Sequence, residues 1–147
     1  MAARKSNPRY WLVKSEPSAY SWDQLVKDGS ACWDGVRNYQ ARNNLREMKR
    51  GDLVLYYHSN EGLAVVGIAR VIKESYQDPA TDDGRWLVVD IEPVEKLANP
   101  VTLEAIKGNA ALKEMVLVKN SRLSVMPVAK KEFDTVLALA KKALAKK

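Results

Sequence analysis

One cysteine and one histidine, Cys32 and His58, serve all 147 residues. Each scarcity removes a class of chemistry. A single cysteine cannot close an internal disulfide, and a reducing, cytoplasmic setting (nuclear in a eukaryote) is the expectation. A single histidine cannot build a two-histidine metal site. Zinc would have to recruit carboxylates, and the spacing for that is missing, so neither metal nor cofactor is expected. No apolar run approaches the roughly 18–20 residues that cross a bilayer. Residues 1–9 carry Arg4, Lys5 and Arg9 and no apolar stretch before Tyr10, which argues against a signal peptide. No glycine-rich phosphate loop occurs either.

What is present suits one soluble domain. A hydrophobic content of 46% over this length supports one real core and leaves little room for a second. The net charge is +6, a modest excess that suits a polyanionic partner. Much of it is terminal, including Lys141, Lys142, Lys146 and Lys147, which a solvated helix face also explains. The expected organisation is a disordered arm over 1–9, a domain over 10–140 and a basic helix end over 141–147, as a monomer.

Along the chain, Tyr10-Trp11-Leu12-Val13 reads as a buried strand stopped at Lys14-Ser15-Glu16-Pro17. Ser21-Trp22-Asp23-Gln24 is a capping box, and Gly29 closes the short helix it starts. Ala41 to Met48 reads as a second helix, with Arg42, Arg46, Lys49 and Arg50 on or just beyond its polar side. Leu53 to His58, Leu63 to Ile72 and Trp86 to Glu92 read as strands. Gly67 is expected at a bulge or close approach, and Pro93 at an edge or bulge. Thr102 caps a helix closed by Gly108, Leu123-Ser124-Val125 forms a last short strand, and Lys130 to Ala143 an amphipathic helix. Short strands with few helices between them predict an α+β fold, a small curled sheet or barrel with helices around it.

Catalytic templates fit poorly. Ser15 or Ser59 with His58 and Asp52 lacks a nucleophile-elbow pattern, and a Cys32–His58 pair requires the fold to join two distant residues. Glu47-Met48-Lys49 has nuclease-like Glu-x-Lys spacing but falls on a predicted helix. An enzyme is therefore not expected. Binding features are stronger. From Trp33 to Asn43 the chain holds two aromatics, two arginines, two asparagines, a glutamine, an aspartate and a glycine, with neither helical nor strand periodicity. Flat rings, paired amide donors and acceptors, and planar guanidinium forks suit a planar hydrogen-bonding ligand such as a nucleobase. A polar loop capping its own turns is the plainer explanation of the same residues.

The motifs Tyr10 to Pro17, Trp33 to Asn43, Tyr57-His58-Ser59-Asn60, Gly67-Ile68-Ala69, Pro100-Val101-Thr102-Leu103 and Arg122 to Val128 together resemble the EVE domain. The resemblance runs from Tyr10 to about Leu139. It implies a fold of the PUA-like superfamily, a small mixed or antiparallel β-barrel surrounded by short α-helices. It implies a pocket for a modified nucleobase and no catalysis. The implied pocket residues are Lys14, Ser15, Glu16, Trp33, Gly35, Val36, Arg37, Asn38, Tyr39, Gln40, Tyr57, His58 and Ser59. Arg42, Arg46, Lys49, Arg50 and Arg122 are the expected phosphate contacts. The implied partner is nucleic acid carrying a modified base, DNA favoured over RNA, with no membrane partner. The alternative is an RNA-modification-binding accessory protein, or an enzyme or binder acting on a small modified nucleoside. Ala129 stands where relatives often have Ser or Thr, which weakens the N-cap of the last helix by about 1 kcal/mol.

Overall fold

The computed structural model describes residues 9–16, 20–33, 38–59, 63–79, 81–120 and 123–145, with side chains described as far as Ala140. Its strands are β1 (Tyr10–Ser15), β2 (Ala31–Cys32), β3 (Leu53–His58), β4 (Ala64–Gln77), β5 (Leu87–Thr102) and β6 (Val125–Val128). Its helices are α1 (Trp22–Asp28), α2 (Tyr39–Glu47), α3 (Leu103–Lys107), α4 (Val116–Lys119) and α5 (Lys130–Ala145), with a 3-10 turn at Ala110–Leu112.

The strands form one six-stranded mixed sheet in the order β2-β5-β4-β3-β1-β6. β1 and β3 run parallel, in register from Tyr10↔Leu53 to Ser15↔His58. A parallel pair needs a crossover rather than a hairpin, and the connecting segment supplies one with α1, β2 and α2. All other pairings are antiparallel. The barrel expected from the resemblance is not what the pairing gives. Among the described residues no ladder joins β2 to β6, so the sheet is open.

Local chemistry sets several elements. The Ser21 side chain accepts the Gln24 N–H, and Gly29 sits at φ 83° at the end of α1, a backbone state that suits glycine. Thr102 caps α3 through the Ala105 N–H. Gly67 makes the close approach its sequence position predicts. A Cβ there would lie 2.6–2.7 Å from the Trp22 indole ring, and the β4–β5 register shifts beside it. Pro93 also lies at a register shift, opposite Ala69.

Other expectations shift. The second strand runs on to Gln77 rather than ending at Ile72, and the third continues through Pro93 to Thr102. α2 begins at Tyr39, two residues early, because the Asn38 side chain accepts the Ala41 N–H as its N-cap. The last strand starts at Val125 rather than Leu123. The expected arm lies outside the described residues except for Arg9. There the N–H donates to Asp52 Oδ1 at 3.1 Å and the carbonyl accepts the Leu53 N–H at 3.1 Å.

The core lies on both faces of the sheet. Trp11, Leu12 and Val13 are consecutive and buried, as are Val54 to Tyr57. Tyr56 and Tyr57, on opposite faces of β3, are both covered. Asp52 is fully buried beneath this core. Its carboxylate accepts the Trp11 indole N–H at 2.9 Å, the Lys49 N–H at 2.9 Å and the Arg9 N–H. One side chain thus ties the start of β1 to the α2–β3 turn.

Candidate nucleic-acid interface

The parallel pairing of β1 and β3 brings two of the predicted motifs to one end of the sheet. Lys14 stands opposite Tyr57 and Ser15 opposite His58. Lys14 Nζ lies over the Tyr57 ring, 5.8 Å from its centroid. The Ser15 carbonyl accepts the Ser59 N–H at 3.0 Å, and the Lys14 N–H donates to the Ser124 carbonyl at 3.0 Å. Glu16 is exposed at the strand end, and its carbonyl accepts the Tyr20 N–H at 2.9 Å.

Beside these strand ends sits an aromatic cluster. Trp33 meets Tyr56 edge to face at 5.4 Å between centroids, and Tyr20 at 6.5 Å. Trp22 meets Tyr56 in the same way at 5.6 Å, and His58 adjoins Tyr56 at 5.9 Å. The Tyr56 hydroxyl donates to the Tyr20 carbonyl at 2.7 Å. Trp33 is 8% exposed, and its N–H donates to the Val89 carbonyl at 2.7 Å. It is packed into the core rather than open on a surface. Of this cluster, Tyr20, Trp22 and Tyr56 were not among the predicted site residues. The signal for Tyr20 and Trp22 was their position on either side of the Ser21 cap.

Burial disfavours the charged forms of three groups here. Burial pushes the Tyr56 phenol up to about 12 and lowers the Lys14 ammonium from its ordinary value. Burial also lowers His58, against a smaller opposing pull from Asp23. His58 Nε2 accepts the Trp22 N–H at 3.1 Å, so the neutral ring carries its proton on Nδ1. The site therefore offers aromatic edges, hydroxyls, an imidazole N–H donor and the exposed Glu16 carboxylate. Those are reagents for reading a base edge, with discrimination carried by hydrogen bonds.

Gly35, Val36, Arg37 and Arg122 are outside the described residues. Asn38 caps α2, and Tyr39 and Gln40 are exposed in its first turn. Tyr39 stacks on Trp86 at 5.1 Å and 25°, a second aromatic group from which Trp33 is separate in the chain by the segment 34–38. Arg42 is half-buried, and Arg46, Lys49 and Arg50 are exposed. They put four cations on α2 and the turn after it.

The hydrolytic templates do not assemble. The Asp52 carboxylate is taken up at the opposite end of β3 from His58. Cys32 Sγ lies 3.4 Å from the Tyr76 hydroxyl, which donates to Asp90 at 2.6 Å. Among the described residues no three or more of His, Cys, Asp and Glu group as a metal site would require. No described helix is long and apolar enough to cross a membrane.

Comparison with known proteins extends this picture. Thymocyte nuclear protein 1 of Mus musculus is 37% identical over 92% of this chain and 75% of its own. Rpa0253 from Rhodopseudomonas palustris, solved by NMR, is 48% identical with a TM-score of 0.87, covering 90% of this chain and 93% of that one. A crystal structure of human THYN1 in complex with 5-methylcytosine-containing DNA is 34% identical with a TM-score of 0.84, covering 90% of this chain and 97% of that one. The family model of the EVE domain matches residues 9–139, and by that match this chain belongs to the EVE domain family.

Proposed function

We propose that this protein binds nucleic acid, DNA in preference to RNA, by holding one modified nucleobase, and that it does not turn the base over. The supporting observation is the relative solved in complex with 5-methylcytosine-containing DNA, which shares this fold over nearly the whole chain. The pocket in this reading lies at the ends of β1 and β3, within a PUA-like arrangement in which the curled sheet and its helices stand in for a closed barrel. Lys14, Ser15, Glu16, His58 and Ser59 supply polar contacts, and Trp33, Tyr20 and Tyr56 supply the wall.

The energetics assign the parts. Taking a base out of a duplex costs a few kcal/mol. Stacking on an aromatic returns roughly 1–3 kcal/mol and is indifferent to the base. Base choice must therefore come from Glu16, Ser15 and the His58 Nδ1–H on the base edge, and from the apolar wall against a methyl or similar group. Arg46, Lys49 and Arg50 supply phosphate contacts that raise affinity without specifying sequence.

The test is a panel of matched DNA and RNA oligonucleotides, each with one modified or one unmodified base, followed by mass spectrometry of the recovered strands. Preference for one modified base with every strand returned unaltered supports the reading. Equal binding across the panel, or a changed base in the recovered strand, contradicts it.

A further inference from the structure

A second surface on this molecule has the chemistry of a nucleic-acid contact and belongs to neither the aromatic cluster at β1 and β3 nor the Arg46–Arg50 group. At the start of α2, Tyr39 stacks on Trp86 from the segment before β5. The Arg42 guanidinium lies 5.3 Å from the Tyr39 ring centroid, and that of Arg85 lies 6.0 Å from the Trp86 ring. Arg85 donates to the Tyr39 hydroxyl at 3.0 Å, and Arg42 donates to the Arg85 carbonyl at 2.8 Å. Two planar cations and two rings are thus interlocked before any ligand arrives.

A group whose only task was to pin the β4–β5 connection to α2 would bury its rings. Tyr39 is instead 51% exposed, in the first turn of a helix. The two arginines differ in how far they are satisfied. Arg85 is matched by Asp83, which takes its Nε and Nη2 donors. Arg42 gives Nε to the Asn43 amide oxygen and Nη1 to a carbonyl, both neutral acceptors, so its charge is not cancelled by a carboxylate in these bonds. The surface therefore presents a ring edge beside one held guanidinium, which suits a sugar–phosphate unit.

Its place in the chain gives it a register. Tyr39 follows Trp33 by six positions, so their Cα atoms lie at most roughly 22 Å apart. That is a few nucleotides along a strand.

We infer that Tyr39 and Arg42, braced by Trp86 and Arg85, contact the backbone of a nucleotide flanking the one whose base is read. This rests on the proposed function above and adds a separate surface to it. Arg42 takes the phosphate and the Tyr39 ring lies against the sugar. The contact adds affinity for a polymer and leaves the choice of base to the β1–β3 end.

Two variants, Arg42→Gln and Tyr39→Ser, test this in the full chain, with thermal unfolding to verify that each remains folded. The probes are matched oligonucleotides with 5-methylcytosine or cytosine at one position, and the mononucleotide 5-methyl-dCMP. Each variant is expected to weaken both oligonucleotides by the same factor, roughly threefold to tenfold, leaving their ratio and mononucleotide binding unchanged. Arg42→Gln also lowers the slope of log K against log salt by about 1. Wild-type affinity in both variants overturns this inference and spares the proposed function. A changed ratio between the two oligonucleotides also overturns it, by placing Tyr39 or Arg42 against the base. Absence of oligonucleotide binding by the wild type overturns both readings.

Discussion

The imidazole of His58 accepts the backbone N–H of Trp22 at 3.1 Å. Trp22 is the first residue of α1, where an N–H has no partner within the helix. The last residue of β3 thereby caps a helix that begins 36 positions earlier. Only the neutral ring can accept this bond. Burial lowers His58 from its ordinary 6.5 in the folded chain, so the unfolded chain binds the proton more readily. Stability from this site is complete above about pH 6.5 and is lost as the pH falls through the folded value. His58→Asn, which does not titrate, should flatten the dependence of urea-unfolding stability between about pH 7 and 5. An unchanged slope would remove the assigned role.

Gly67 and Trp22 form a second constraint on the same helix. The Cβ of an alanine at 67 would fall 2.6 Å from Trp22 Cη2 and Cζ3, and the same ring packs edge to face against Tyr56. Gly67→Ala should cost about 1–3 kcal/mol in denaturant unfolding. Trp22→Phe in the same chain should recover part of that loss, because the smaller ring leaves room. A double-mutant cycle measures the coupling. Additive losses would show that the clash is relieved elsewhere.

Asp52→Ala should be among the most damaging single changes outside the hydrophobic core. It strands the buried Trp11 indole N–H and two part-buried backbone N–H groups, at about 3 kcal/mol. Guanidinium unfolding checks this, and a loss below about 1 kcal/mol would mean that water replaces the carboxylate.

These three relationships differ in how far the sequence announces them. The Ser21 cap, the Gly29 stop, the Thr102–Gly108 helix and the buried run from Trp11 to Val13 are local and readable, because each depends on neighbours within a few residues. The role of Asp52 is not, since its indole partner is 41 positions away. The second half of β5 was missed because Pro93, Glu95, Lys96, Asn99 and Pro100 read as strand breakers. They are tolerated where β2, only two residues long, covers just Asp90 and Ile91, and among the described residues no other strand pairs with that edge. Asn38 was read as facing a base because its motif is rich in base-binding residue types, yet its side chain serves the turn beneath it. At the candidate site the sequence supplied the strand ends, and the fold added Tyr20 and Tyr56 by bringing them to Trp33.

Ala129 illustrates a repair within the sequence itself. Its carbonyl accepts the Phe133 N–H at 2.9 Å, which makes it the N-cap of α5, and it has no side chain to cap with. Glu132 reaches back and accepts the Ala129 N–H at 3.0 Å, half of a capping box. Ala129→Ser should complete the box and add about 0.5–1 kcal/mol, seen as a rise of about 2–4 °C in Tm. No rise would mean that the serine hydroxyl does not reach the helix.

Trp33 is where packing and the proposed base contact have to be told apart. Because it is buried against Tyr56, Trp33→Ala should cost about 3–5 kcal/mol, and any lost binding in that variant would be ambiguous. Trp33→Phe keeps an aromatic wall and should leave the chain folded by circular dichroism. Its affinity for a modified oligonucleotide then reports whether the indole edge meets the base.

The most direct test of the central claim is a titration of the wild-type protein, followed by tryptophan fluorescence at two salt concentrations. The ligands are two DNA strands that differ only in 5-methylcytosine against cytosine at one position, in matched duplexes. A read base predicts tighter binding of the methylated duplex and a ratio of affinities that survives at the higher salt, while both absolute affinities fall as phosphate contacts are screened. Equal affinities that collapse together with salt would contradict a base-reading pocket for this modification and leave only a basic surface.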